Sequence, residues 1–189
     1  MATETRPESA GCNLTIVDET CMTAQLDAAI RRLLCDCFPA DAAIFGKERC
    51  WHGCKPEFTV VHQTPAGVLG HVGVVRRTVS CDGVEVDAFG IQSVAVSPSL
   101  RGAGIGGKLM NAAVGEAKRR GIPLGLLFCT PQLEQLYHRM GWRKVDVVVW
   151  MRDENGNRVK LTDKNIAMCL DFAGNPLPRG PLDLQGRDW

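Results

Sequence analysis

The sequence of 189 residues lacks a long hydrophobic run, an excess of charge of one sign and a leader-like start. No apolar stretch approaches the roughly 18 residues of a membrane-spanning helix, so we expect no membrane partner. Lys and Arg number 22 against 21 Asp and Glu, and a net charge of +1 is not the basic surplus of a general nucleic-acid binder. The first residues are polar and partly acidic, unlike a secretory or transit peptide, which favours a cytoplasmic location.

Cysteine is abundant, yet a disulfide framework is not expected. The nine cysteines are odd in number and scattered, and no secretory signal precedes them. Cys35, Cys37, Cys50, His52 and Cys54 are zinc-ligand types, but Cys-x-Cys and Cys-x-His-x-Cys match no common ligand spacing. We therefore predict no metal and reduced thiols that pack as small hydrophobic groups.

The hydrophobic pattern indicates a disordered start over residues 1–12 and one domain over 13–189, long enough for a single core. Asp82-Gly83 between two β-branched runs is typical of a hairpin, and the short apolar run 124–128 is typical of a buried parallel strand. The predicted elements, in chain order, are a strand over 13–17, a helix capped by Asp18 or Thr20 and ended by Phe38 and Pro39, a loop over 40–56, antiparallel strands over 58–62, 68–80 and 84–97, a helix over 104–120, a strand over 124–128, a helix from Thr130 to Met140, a strand over 142–151, a turn over 153–157 and a strand over 164–171.

The segment 93–109 contains a strand, a glycine-rich turn and a helix start in that order. Such a turn can bring successive backbone N–H groups close to an anion, and the helix start adds unpaired donors and a positive dipole. A tight turn without a ligand is the alternative. The Walker phosphate motif fails because Lys108 is followed by Leu109, and the dinucleotide fingerprint fails because the loop follows an antiparallel meander.

The turn matches the Arg/Gln-x-x-Gly-x-Gly/Ala motif of the GNAT acyltransferase superfamily through Arg101, Gly104 and Gly106. The strand before it, the strand at 124–128 and the Leu-Tyr-x-x-x-Gly-Trp segment over 136–142 follow in the superfamily's order. The resemblance implies an α+β fold, with a mixed, mostly antiparallel sheet flanked by helices, and acetyl-CoA as the acyl donor. The implied coenzyme-binding residues are Val94, Ala95, Val96, Arg101, Gly102, Ala103, Gly104, Ile105, Gly106, Gly107 and Lys108.

Two narrower resemblances both point to an amino-sugar acceptor. The segment 70–77 and the final Gly-Arg-Asp-Trp resemble aminoglycoside 2'-N-acetyltransferases, one branch of which acts on kasugamycin. The region 51–106 also resembles the rhizobial acyltransferase NodA, which acylates a chitooligosaccharide amine. Residues 186–189, called the tail below, favour the resemblance to aminoglycoside 2'-N-acetyltransferases. That resemblance implies antibiotic resistance by direct acetyl transfer in a ternary complex. NodA-like acylation of an oligosaccharide, transfer to another amine and a non-catalytic acyl-CoA sensor are the alternatives, and the superfamily makes a homodimer possible.

The resemblance also implies catalytic roles. Tyr137 matches the superfamily tyrosine that protonates the departing thiolate, and a phenol can do so with help from nearby donors. The backbone N–H of Val94 is the expected donor to the thioester carbonyl. Gln92 stands where related enzymes carry a glutamate and cannot accept a proton, so it can at most orient a water molecule. The general base therefore stays open among Asp41, Asp171, Asp183, Asp188 and the Trp189 carboxylate.

The acceptor residues are predicted from charge and aromatic type. Asp171, Asp183, Asp188 and Trp189 would form an acidic wall for an ammonium-bearing substrate, although each aspartate could equally be a solvated loop charge. Trp51 could stack on a sugar ring or pack in the core. Asp41 completes the predicted substrate-binding set.

Overall fold

The structure is a computed structural model that describes residues 14–162, 164–172 and 180–189. The predicted disorder over residues 1–12 lies outside the described residues. The strands are β1 (Leu14–Asp18), β2 (Phe58–Thr64), β3 (Gly67–Cys81), β4 (Val84–Val96), β5 (Leu124–Cys129), β6 (Arg143–Lys144), β7 (Val149–Arg152), β8 (Arg158–Lys160), β9 (Ile166–Asp171) and β10 (Leu182–Asp183). The helices are α1 (Ala24–Cys37), α2 (Ala42–Phe45), α3 (Ile105–Arg119) and α4 (Glu134–His138).

Strands β2 to β4 form the predicted antiparallel meander, and β1, for which no partner was predicted, pairs antiparallel with β2. The β3–β4 hairpin turns at Asp82 and Gly83, whose φ values of 52° and 81° fit a type I′ turn. β5 then lies parallel to β4 and antiparallel to β9, so α3 is the crossover that a parallel connection requires. The predicted α+β class and the mixed, mostly antiparallel sheet are confirmed.

The long strand β3 carries two branches of the sheet. Its first half pairs with β2, and its last residues, Ser80 and Cys81, pair with β10. β10 is in turn parallel to β7, which pairs with β8. β10 therefore lies in the sheet between β3 and β7, although the sequence around Leu182 and Asp183 has no strand-like pattern.

Helices α1 and α3 cover apolar surface of the sheet. α1 buries Ile30, Leu33 and Leu34 in a cluster with Phe45 and Val61. α3 buries its own apolar stripe against Phe58, Val74, Phe89, Ile91 and Tyr137, among others. A third cluster includes Leu126, Leu182 and Trp189.

Three local expectations are corrected. Thr23, not Asp18 or Thr20, caps α1, because its Oγ1 accepts the Leu26 N–H at 3.2 Å. The strand predicted over 142–151 divides into β6 and β7, because β6 pairs with β9 and β7 pairs with β10 on the other branch. The helix predicted up to Met140 is shorter and ends at His138. Within the described part of the chain, no helix is long and apolar enough to cross a membrane.

Candidate active site

A cleft opens where β4 and β5 separate. Their pairing ends at Ile91 and Leu127, while both strands continue further. The end of β4 therefore has a backbone edge that β5 does not pair, and an extended molecule can add to such an edge as a strand would. The cleft at this point has a volume of about 700 Å³ and is lined by Val94, Tyr137 and Asp188, among others.

A bulge shapes this end of β4. Ser93 and Val94 lie opposite the single residue Val72, because His71 pairs with Ala95 while Gly73 pairs with Gln92. Ser93 has a φ of 49°, which is unusual for a residue other than glycine. A bulge takes its extra residue out of the regular ladder, so its backbone groups can serve a ligand instead. The predicted carbonyl donor at Val94 lies in this bulge and lines the cleft.

His71 supports the bulge from β3. Its ring is fully buried, and Nδ1 lies 2.8 Å from the carbonyl oxygen of Ser93. Burial lowers the pKa of His71 to about 4, so the neutral ring donates from Nδ1 at neutral pH. The buried hydroxyl of Ser93 has no hydrogen-bond partner among the described residues, and Ser93 lines the cleft.

The glycine-rich turn directly precedes α3. Gly102 and Gly104 have φ values of 82° and 75°, a conformation that glycine adopts without strain. Gly104 is the N-cap of α3. Because glycine has no side chain to accept a hydrogen bond, the N-cap leaves the first backbone N–H groups of the helix without a side-chain acceptor. The side chains of Arg101 and Lys108 are exposed beside this turn. Backbone donors, a helix dipole and two cations therefore converge, which fits a pyrophosphate.

Two cysteine thiols lie near functional segments. Cys37 Sγ donates to the Val96 carbonyl oxygen at 3.4 Å, next to the Arg101 guanidinium. Burial raises the pKa of this thiol above its usual value, although Arg101 partly opposes the effect. Cys54 Sγ donates to the Asp188 carbonyl oxygen at 3.2 Å. The cysteines at described positions are free thiols, and the described residues contain no group of three or more metal-ligand side chains.

Tyr137 is on α4 and lines the cleft, and it is mostly buried, at 8% exposure. It faces the core that α3 and the sheet form, because Leu133 and Leu136 on the same segment stay exposed. Burial raises the pKa of Tyr137 to about 12, with a smaller contribution from Cys129. The phenol is therefore fully protonated at neutral pH, as a proton donor must be.

Gln92 ties the loop over 46–57 to β4. Its Oε1 accepts the Trp51 N–H at 2.9 Å, and its Nε2 donates to the Cys54 carbonyl oxygen at 2.6 Å. The side chain is only 3% exposed. Each end of the amide already has a protein partner, so the structure uses Gln92 as a clamp on the loop.

The clamped loop brings aromatic side chains to the cleft. Trp51 lies edge-on to Phe45, with ring centroids 4.7 Å apart, and also contacts Phe38. It is half-buried and lines the cleft. Both alternatives considered for Trp51 therefore describe the same side chain, which packs on one side and borders the cleft on the other.

The tail crosses the sheet and fixes Trp189 above Gly90. A Cβ at Gly90 would lie 2.0 Å from Trp189 Cε2, so the indole occupies the space that the glycine leaves. The ring is 5% exposed, with Phe128 at 5.3 Å on one side and the Arg77 guanidinium over its face. Arg77 also donates to the Arg187 carbonyl oxygen. Neither Gly90 nor Arg77 was predicted as a site residue, because nothing local marks a contact across more than 90 residues.

The structure places the predicted acceptor residues in different locations. Asp41, Trp51, Asp188 and Trp189 line the cleft. Asp183 does not: its carboxylate pairs with Arg152 and Arg158 on the β7–β8 hairpin, beside a separate cavity. Asp171 is paired with Leu124 at the opposite end of β5 from the cleft. The predicted acidic wall thus loses Asp171 and Asp183.

Four charged residues that were not predicted as site residues border the cleft instead. Asp153 and Glu154 come from the turn between β7 and β8, Lys164 comes from the segment before β9, and Arg187 directly precedes Asp188. Asp153 stabilises its own turn, because its Oδ1 accepts the N–H groups of Asn155 and Asn157. The turn itself was predicted, but the folding of the hairpin over the cleft was not. Carboxylates outnumber cations along this lining, which suits a positively charged acceptor.

The fold defines a class of protein. The structure superimposes on a GNAT family acetyltransferase from Brucella melitensis in complex with acetyl-CoA, with a TM-score of 0.60 and 22% identity over 90% of this chain and 95% of that one. It also superimposes on the GNAT family protein YhbS from Escherichia coli in complex with CoA, with a TM-score of 0.65 and 18% identity over 96% and 93%. The chain therefore has the GNAT acyltransferase fold.

Within that class, the chain belongs to the nodulation protein A (NodA) family, whose model matches residues 15–171. It is 31% identical over 104 residues to nodulation protein A of Bradyrhizobium sp. (strain ANU 289), covering 55% of this chain and 49% of that protein. It is 30% identical over 130 residues to the protein of Bradyrhizobium sp. (strain NC92), covering 69% and 60%. The chain thus spans about half the length of the first curated relatives it matches. Of the two narrower resemblances in the sequence, these comparisons show the one to NodA and not the one to aminoglycoside 2'-N-acetyltransferases.

Proposed function

We propose that this chain is an N-acyltransferase that moves an acyl group from an acyl-CoA thioester to the amino group of an amino sugar. The observation that carries the proposal is that Tyr137 and the β4 bulge line the same carboxylate-bordered cleft, while β4 leads along the chain into the glycine-rich turn. Membership of the NodA family supports the amine acceptor. A cytoplasmic location and a homodimer stay predictions.

The residues present fit coenzyme A. The glycine-rich turn from Arg101 to Lys108 would hold the pyrophosphate, and the unpaired edge of β4 would pair with the pantetheine arm. The bound donor would supply a thioester carbonyl at the bulge. Ser93 offers an orphan hydroxyl there, and Val94 offers a backbone N–H that stabilises charge developing on the carbonyl oxygen, an effect typically worth about 3 kcal/mol.

Two acceptor chemistries are compatible with the cleft. An oligosaccharide with one free amine is the acceptor that the resemblance to NodA implies, and membership of the NodA family favours it. An aminoglycoside or aminocyclitol antibiotic such as kasugamycin, with several ammonium groups, is favoured by the surplus of carboxylates at Asp41, Asp153, Glu154 and Asp188. Antibiotic resistance would follow only from the second.

A thiol-release assay with acetyl-CoA decides between these acceptors. The panel contains glucosamine oligomers with a free amine, gentamicin, kasugamycin and spermidine, and mass spectrometry of the product locates the new amide. We expect acceptor-dependent release of CoA with at least one amino sugar. If CoA binds tightly but no acceptor releases thiol, the chain is a sensor and the proposed activity is wrong.

The glycine-rich turn makes a separate prediction about coenzyme binding. Gly104→Ala places a Cβ at a φ of 75°, which costs roughly 1–2 kcal/mol and should weaken CoA binding about tenfold in calorimetry. The matched control is Gly121→Ala, because Gly121 has a φ of 74° beyond the far end of α3. The control should lose similar stability in urea and bind CoA like the wild type. Equal CoA affinity in both variants would remove the turn from the coenzyme site.

A further inference from the structure

The cleft contains a histidine and aspartate pair that no sequence pattern marks. His52 Nδ1 and Asp188 Oδ1 are 2.7 Å apart, and both residues line the cleft together with Tyr137. The contact is close but lies off the line of a hydrogen bond, and Asp188 Oδ1 is buried without a hydrogen-bond partner among the described residues. A small turn of the imidazole would supply the missing donor, and such bonds commonly tighten only when substrate is bound.

The loop holds His52 in place from both sides. Gln92 binds the backbone of Trp51 on one side and of Cys54 on the other. His52 itself has a φ of 52°, an unusual conformation for a residue with a side chain, and such conformations persist only where the surroundings impose them. The clamp by Gln92 is that constraint.

The tail holds Asp188 in place by separate contacts. Cys54 Sγ donates to the Asp188 carbonyl oxygen, Arg77 donates to the carbonyl oxygen of the preceding residue, and the Trp189 ring is seated on Gly90. Two segments 136 positions apart are thus fixed so that an imidazole meets a carboxylate at the edge of the cleft. An ordinary surface ion pair would need neither the contacts that hold the loop at His52 nor the contacts that hold the tail at Asp188.

We propose that His52, oriented by Asp188, is the general base that takes the proton from the acceptor amine. This rests on the proposed N-acyl transfer. In the proposed arrangement the imidazole Nδ1–H points to the Asp188 carboxylate, and Nε2 keeps the lone pair that accepts the amine proton. As the nitrogen–carbon bond forms and the carbon–sulfur bond breaks, His52 becomes imidazolium and Tyr137 donates its proton to the sulfur. Proton exchange with water then restores both groups.

Other charged groups face the same cleft. Asp41, Asp153 and Glu154 contribute carboxylates, and Lys164 and Arg187 contribute cations. A carboxylate is a weaker base than imidazole by about 2 pKa units in model compounds, so an imidazole is better matched to an amine at neutral pH. We assign the carboxylates to attracting the ammonium form of the acceptor, which loses its first proton to water, and the imidazole to taking the second proton as the nitrogen–carbon bond forms.

The kinetic test compares His52→Gln with His138→Gln, since His138 is an exposed histidine that does not line the cleft. We expect His52→Gln to lower kcat about 100-fold at pH 7, to leave the acyl-CoA KM within about threefold, and to remove the acidic limb of the kcat/KM profile. Asp188→Asn should lower kcat about tenfold, and His138→Gln should match the wild type. A wild-type kcat and an unchanged acidic limb in His52→Gln would overturn the proposal.

A nuclear magnetic resonance readout does not depend on turnover. A long-range ¹H–¹⁵N spectrum of the whole chain should show neutral His52 as the Nδ1–H tautomer, and Asp188→Asn should abolish that preference. An Nε2–H tautomer in the wild type would overturn the assignment of the base. If the wild type releases no thiol with any acceptor, the proposed transfer fails and the base role with it. If the wild type releases thiol with an acceptor and His52→Gln has the same kcat and pH profile, the base role alone fails.

Discussion

Replacing Tyr137 with phenylalanine should lower kcat about 100-fold or more while the affinity for CoA stays within about twofold. The ring would keep its buried position, but the only phenol in the chain would be gone, and positioned general acids typically contribute 10²–10⁴-fold. Because burial raises the pKa of Tyr137 to about 12, the group is protonated throughout the neutral range. Steady-state thiol release and calorimetry with CoA measure the two quantities.

The leaving group gives this prediction an internal control. An acyl donor whose thiol is more acidic needs less help from a general acid, so the defect of Tyr137→Phe should shrink with such a donor. A defect of equal size with both donors would mean that the hydroxyl positions the substrate and does not protonate sulfur. An unchanged kcat with acetyl-CoA would remove Tyr137 from the chemistry.

Gly90→Ala should release the tail from the sheet. The new Cβ would lie 2.0 Å from Trp189 Cε2 in the present arrangement, and β4 is too firmly paired on both sides to move away. Loss of a buried tryptophan from its site typically costs about 3–5 kcal/mol, so we expect a fall of that order in the free energy of unfolding. Because Asp188 precedes Trp189, the acceptor KM should rise at least tenfold, whereas CoA affinity should change little.

Gly115→Ala is the matched control, because a Cβ there meets nothing within 4 Å and Gly115 is inside α3. Alanine in a helix interior is about 1 kcal/mol better than glycine, so this variant should gain stability and keep the acceptor KM. Urea unfolding and thiol-release kinetics compare the two variants. Wild-type stability and KM in Gly90→Ala would show that the indole is not seated on Gly90.

Local patterns predicted the elements that depend on local chemistry. The antiparallel meander, the hairpin at Asp82, the crossover through α3 and the parallel β5 all follow from β-branched runs, turn residues and helical spacing. The division of the 142–151 run was not predictable, because Val145 to Val149 contains four valines and only Asp146 interrupts them. The choice between β9 and β10 as partners depends on distant segments.

The candidate site divides in the same way. The proposed coenzyme side is one continuous segment, from the bulge at Ser93 to the start of α3, and its glycines and arginine are visible in the sequence. The acceptor side is assembled from the loop at His52, the β7–β8 turn and the tail, which are far apart along the chain. Composition alone predicted carboxylates there, but it could not separate Asp188, which reaches the cleft, from Asp183, which pairs with arginines.

The position of β10 between β3 and β7 sets an order of events during synthesis. The edge of β3 that pairs with β10 is made about 100 residues before its partner, and pairings over such separations form slowly. Until Leu182 has left the ribosome, that edge is an open template for unwanted strand pairing. The glycine-rich turn and its meander are complete long before then. In a nascent chain the proposed coenzyme segment is therefore made before the β7–β8 turn and Asp188, which complete the cleft beside it.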